Sequence, residues 1–210
     1  MDDNFLQRAL VGVPILLLSL TVHEFSHAWS AHKFGDNTAR DLGRMSLNPL
    51  VHLDLFGSIV MVLSGFRFGW AKPVPVNIMN LKNPRVADMW ISAAGPISNV
   101  LLAIAFGIVF RVTGLMSGIP EAAFMVMAQA ILINLVLAFF NLIPLFPLDG
   151  SHILRSLLPP SMEEAYDKFN FISPIILIGL LYLGGLNFLL RPIVSVLVPI
   201  IGGPGIFLWL

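Results

Sequence analysis

The sequence predicts an all-α polytopic membrane protein with about five transmembrane helices, a re-entrant segment and a short membrane-associated β-strand or hairpin. Three observations support this. Hydrophobic residues make up 57% of the 210 residues and charged residues only 11%, far from the balance of a soluble domain. Several charge-poor stretches reach the roughly 20 residues needed to cross about 30 Å of hydrocarbon. The 12 Lys and Arg only balance the 12 Asp and Glu, so the basic surplus that phosphate binding demands is missing and nucleic acid is excluded as the main partner. Cysteine is absent, which excludes a disulfide framework, a thiolate zinc site and a thiol nucleophile.

The first span is Ala9–Ala31, interrupted only by His23, Glu24 and His27. It is too long for a signal-peptide core and lacks a small-residue cleavage site, so no leader is expected. The next apolar run, Leu55–Phe66, is too short to span and reads as re-entrant or interfacial. In Phe66–Asn80 large apolar residues alternate around Pro73 and Pro75, which predicts an edge strand or an extended membrane-surface segment. Further spans are expected at Ile91–Phe110, Ala122–Leu148, Phe171–Leu190 and Pro192–Leu210. The loop Asp149–Asn170 is too short to form a domain. Residues 1–210 therefore read as one membrane-embedded domain, with a catalytic core over about 9–155 and C-terminal helices over about 171–210.

Orientation follows the Lys and Arg residues. Lys33, Arg40, Arg44, Arg67, Lys72, Lys82, Arg85, Arg155 and Lys168 fall on one side, and Arg8, Arg111 and Arg191 on the other. The richer side is expected to be cytoplasmic, in a multi-pass protein of the cell membrane.

The chemistry is concentrated in His23-Glu24-Phe25-Ser26-His27, an H-E-x-x-H inside the first span. Residues i and i+4 share a helix face, so both imidazoles can bind one zinc while the glutamate sits beside the open coordination position. Ionisable groups at membrane depth cost several kcal/mol unless paired, metallated or hydrated, which marks them as functional. A catalytic zinc needs a third protein ligand. Asp149, His152, His52, Asp54 and His32 are candidates, and topology favours Asp149, because the third span runs parallel to the first and ends in Asn141–Gly150 (NLIPLFPLDG). Asn99 and Asn141 read either as interhelical hydrogen-bond groups or as substrate contacts, whereas Asn134 has only the interhelical reading.

HEFSHAW at 23–29, GPISN at 95–99 and NLIPLFPLDG at 141–150, in that order on apolar segments, resemble the site-2 protease family of intramembrane zinc metalloproteases. The resemblance implies that His23, His27 and Asp149 bind one zinc ion per chain, that Glu24 is the catalytic acid/base, and that Asn99 and Asn141 help hold substrate. The chain looks like a short form without PDZ or other regulatory domains. The implied activity is hydrolysis of peptide bonds in or near transmembrane segments of protein substrates in the lipid bilayer. A divalent-metal transporter and a non-catalytic zinc-binding scaffold are the alternatives. A transporter would need ligands serving both faces, often with repeat symmetry, and neither is evident here.

Overall fold

A computed structural model describes residues 3–63 and 69–210. Among these residues the chain forms eight α-helices: α1 (Asp3–Lys33), α2 (Thr38–Asp41), α3 (Leu55–Leu63), α4 (Pro84–Thr113), α5 (Glu121–Asn141), α6 (Asp149–Leu157), α7 (Pro160–Tyr182) and α8 (Gly185–Gly202). Four segments are long and apolar enough to cross a membrane, namely Leu10–Lys33, Pro84–Thr113, Glu121–Asn141 and Gly185–Gly202.

The C-terminal third differs from expectation. The apolar run Phe171–Leu190 is not one helix, because α7 ends at Tyr182 and Gly184, at φ +73°, turns the chain into α8. Hydropathy is continuous across this glycine pair, whereas backbone conformation is not, since glycine adopts left-handed geometry without steric cost. The first half of α7 carries Glu163, Glu164, Asp167 and Lys168, leaving residues 171–182 too short to span alone. The expected span Pro192–Leu210 shifts towards the N-terminus, to Gly185–Gly202, and is followed by a 3-10 turn over Ile206–Trp209. The third span stops at Asn141, because Pro144 and Pro147 prevent helix continuation.

Between α1 and α4 the chain forms a surface platform. The Asp54 carboxylate caps α3 by accepting from Gly57 N at 2.7 Å. No strand forms among the described residues. The expected strand over Phe66–Asn80 reduces to one antiparallel bridge, Leu53 with Ala71, followed by a run without regular secondary structure from Lys72 to Asn77. Pro73 and Pro75 have no N–H to extend a ladder. Phe66 to Phe68, and with them the end of the expected re-entrant run, lie outside the described residues. Two side chains fasten the platform. Buried Asp36 accepts from Thr38 N (3.0 Å), Thr38 Oγ1 (2.6 Å), Asn77 N (2.7 Å) and Asn80 Nδ2 (2.8 Å). Buried Arg44 donates to Lys72 O at 2.5 Å and Pro73 O at 3.3 Å.

Helix α4 is the centre of the bundle, packing on α1, α5, α6 and α8. Ala103 and Phe110 of α4, Ile131 and Leu135 of α5, and Val198 of α8 form the main core. A second cluster, Ala31, Leu81, Ala87 and Ile91, joins the end of α1 to the start of α4.

Candidate metal centre

The structure brings three of the predicted residues together. His23 and His27, four apart on α1, face the same way, with ring centroids 4.6 Å apart and planes at 83°. Asp149, in the first turn of α6, reaches both: its Oδ2 lies 3.2 Å from His23 Nε2, and its Oδ1 lies 3.4 Å from His27 Nε2. Ligand atoms of the three residues all lie within 4.8 Å of one another.

The far side of each imidazole is tied. His27 Nδ1 donates to the Ile91 carbonyl at 2.7 Å, and a carbonyl can only accept, so in the neutral ring Nε2 keeps its lone pair. His23 Nδ1 meets Asn99 Oδ1 at 2.6 Å. Asp149 Oδ2 is buried without a hydrogen-bond partner, although His23 Nε2 is only 3.2 Å away. In a neutral ring protonated on Nδ1, Nε2 and the carboxylate oxygen both present lone pairs. Such convergence suits a cation: with zinc–ligand distances of about 2.0–2.2 Å, neighbouring ligands of a tetrahedral site stand roughly 3.3 Å apart, close to the 3.2 and 3.4 Å seen here. Two imidazole nitrogens and a carboxylate are also a donor set that zinc favours.

Two glycines make this approach possible. A Cβ on Gly95 of α4 would stand 2.5 Å from His23 Cε1, 2.5 Å from His27 Nε2 and 2.6 Å from His23 Nε2, so both rings lie against bare backbone. A Cβ on Gly150 would stand 2.3 Å from Leu142 O and 2.5 Å from Ile143 O, so the turn before α6 folds directly over its first residues and holds Asp149 inward. Ile91, Gly95 and Asn99 share one buried face of α4 at helical spacing, and all three serve the histidines.

Glu24 is buried beside the cluster, one position on from His23. Among the described residues no hydrogen bond or ion pair engages its carboxylate.

The two asparagines have different surroundings. Asn99 is fully buried, with Nδ2 donating to Ser19 O at 3.2 Å and Asn134 Oδ1 at 2.9 Å while Oδ1 faces His23. Its contacts link the His23 ring to α1 and α5. Asn141 ends α5, half-buried, with Nδ2 donating to Leu137 O at 2.9 Å.

The rival third ligands lie elsewhere. His152 pairs with Asp88 at 3.3 Å, His32 meets Asn37 Oδ1 at 2.6 Å, His52 meets the Ser46 carbonyl at 2.8 Å and Asp54 caps α3. Sequence reasoning missed the contact of Gly95 with the rings and the links from Asn99 to Ser19 and Asn134. The i, i+4, i+8 spacing of Ile91, Gly95 and Asn99 was the available signal.

With this geometry in place, comparison with known proteins is informative. The sequence profile of peptidase family M50 matches residues 11–183. The chain is 40% identical over 187 residues to YwhC of Bacillus subtilis, covering 83% of this chain and 84% of that one. It is 28% identical over 200 residues to Rip2 of Mycolicibacterium smegmatis, covering 88% and 73%. It is 27% identical over 159 residues to MJ0392 of Methanocaldococcus jannaschii, covering 76% and 37%. The names of all three call them zinc metalloproteases. No solved structure matches the chain.

Proposed function

Since the chain belongs to peptidase family M50 and is a metalloprotease, we propose that it is an intramembrane zinc endopeptidase that cleaves membrane proteins in or near their transmembrane segments. The observation that carries this reading is the convergence of His23, His27 and Asp149, two of them within a candidate span. These three residues would hold one zinc ion. When bound there, zinc supplies a Lewis acid that polarises the scissile carbonyl and makes water a competent nucleophile near neutral pH.

The chain's own groups do the rest. Glu24, with its carboxylate unengaged, takes a proton from the attacking water and returns it to the leaving amine. Gly95 admits the rings, while Ile91 and Asn99 fix their orientation. Asn141, half-buried where α5 ends, would contact substrate. The Lys and Arg distribution supports a cytoplasmic-facing site in the cell membrane, within one membrane-embedded domain whose catalytic core covers about 9–155.

A substrate helix must unwind before its peptide bonds are accessible, and the unwound segment needs new backbone partners. The run from Lys72 to Asn77, free of helix, offers them by strand addition. Asp36 and Arg44 hold this run from below, while the N–H groups of Val74 and Val76 have no hydrogen bond among the described residues. Val76→Pro removes one such donor and should weaken cleavage at unchanged zinc content; normal cleavage would sink the strand-addition step.

The decisive experiment is cleavage of a transmembrane substrate in proteoliposomes by wild type and Glu24→Gln. The variant should retain zinc and lose proteolysis. Wild-type cleavage by Glu24→Gln refutes the assigned base, and zinc flux across the vesicle wall would favour transport instead.

A further inference from the structure

We propose that Asn134, on α5, is a positioning residue that fixes the tautomer of His23 through Asn99. This rests on the zinc-site reading but concerns a proton that can be located without the metal. Asn134 is fully buried and its Nδ2 donates to the Ala130 carbonyl at 2.9 Å. That carbonyl can only accept, so the amide nitrogen of Asn134 must face it and Oδ1 must face the other way. Asn134 Oδ1 then accepts from Asn99 Nδ2 at 2.9 Å. The second proton of that nitrogen goes to the Ser19 carbonyl at 3.2 Å, another group that can only accept. Asn99 therefore has a single orientation, with Oδ1 toward His23 Nδ1 at 2.6 Å. An amide oxygen cannot donate, so His23 must carry a proton on Nδ1, and in the neutral ring Nε2 then keeps its lone pair toward Asp149.

The relay thus couples three helices to one lone pair. His27 obtains the same result from one direct bond to Ile91 O, because its Nδ1 meets α4 backbone. His23 lies four residues earlier and meets side chains instead, and an amide has two orientations of nearly equal shape, so a polarity anchor is needed. The Ser19 contact is the longer of Asn99's two and comes from α1 itself. Asn134 supplies the shorter one from a separate helix. This role differs from interhelical glue, which would affect stability alone.

The test uses full-length protein in detergent with ring-¹⁵N-labelled histidine. In metal-free protein the neutral His23 ring of the wild type should be the Nδ1–H tautomer. Asn134→Leu, close in shape but without polarity, should give a mixture with the Nε2–H form. Its zinc affinity, read by competition with a chromophoric chelator, should be about 3- to 10-fold weaker, the equivalent of one buried hydrogen bond. A wild-type His23 protonated on Nε2 overturns the proposal. So does a folded Asn134→Leu whose His23 tautomer is unchanged, which would leave Asn134 a packing residue. Where that variant does not fold, the wild-type tautomer and the same measurements on Asn134→Ala decide. Because the tautomer is read without zinc or substrate, failure of the relay is distinguishable from failure of the metalloprotease reading.

Discussion

Replacing Gly95 by alanine adds one methyl group where the structure has no room for it. The new carbon would sit 2.5 Å from atoms of both His23 and His27, where apolar contacts rest at about 3.5–4.0 Å, an overlap of roughly 1 Å or more. Neither ring can retreat freely, because His23 Nδ1 is held by Asn99 at 2.6 Å and His27 Nδ1 by Ile91 O at 2.7 Å. The strain must move α4 away from α1 or rotate the rings off those bonds. Overpacking of this kind costs about 1–3 kcal/mol, and expressed wholly in metal-site geometry it is roughly 5- to 150-fold in zinc affinity. Helix propensity works in the opposite direction, since alanine favours a helix over glycine by about 1 kcal/mol, so a loss cannot be blamed on a weaker α4. Zinc affinity by chelator competition is the direct assay, with Gly107→Ala as the control. There the added Cβ would meet Ile201 Cγ2 at 2.3 Å, at the α4–α8 contact, so α4 is stressed away from the histidines. Gly95→Ala with wild-type zinc affinity and turnover would refute the geometry; equal loss in both variants would reduce it to a general packing effect.

Other outcomes follow from the same contacts. Gly150→Ala should displace Asp149, because its Cβ would meet Leu142 O at 2.3 Å; zinc content should fall as it does for Asp149→Ala, measured by elemental analysis. For Asp36, burial alone would raise the carboxyl, but hydrogen bonds from Thr38, Asn80 and Asn77 outweigh it and hold the group below the ordinary carboxylate range. A depressed folded value means the stabilisation is complete above the unfolded value and is lost as pH falls through the folded one. The melting-temperature gap between wild type and Asp36→Asn should therefore be constant from neutral pH down to the ordinary carboxylate value and shrink only in stronger acid. A gap that closes near pH 6 would contradict the assignment. Arg111 bonds the carbonyls of Ile200 and Ile201 at the end of α8, so Arg111→Ala should lower thermal stability with zinc affinity unchanged.

The part of this design legible in the sequence is the part that obeys simple periodicities. Charge-poor runs locate the helices because hydrocarbon imposes a minimum length. His23 and His27 are recognisable because four residues make a helical turn, and Asp149 because two crossings after α1 return the chain to the same side. Helix ends are set by local backbone conformation: Gly184 divides an apolar run that hydropathy cannot divide, and Pro84 opens α4 well before its apolar stretch begins. Asn99 shows the deeper difficulty. Its residue type fits substrate recognition and ring positioning equally well, and its contacts with His23, Ser19 and Asn134 are tertiary facts that no periodicity announces. Gly95 stands in the GPISN motif, but what it packs against is a tertiary fact.

The placement of Asp149 on α6, opposite two histidines on α1, has a consequence for folding. A cation gripped by these residues ties together positions separated by more than half the chain. Clips that close long loops remove much conformational freedom from the unfolded chain, so the catalytic ion would also act as a fastener, holding the turn after α5 against α1. Stripping it should then loosen the α5–α6 turn and α6 first, seen as faster amide exchange there, while the α4–α5–α8 core stays protected.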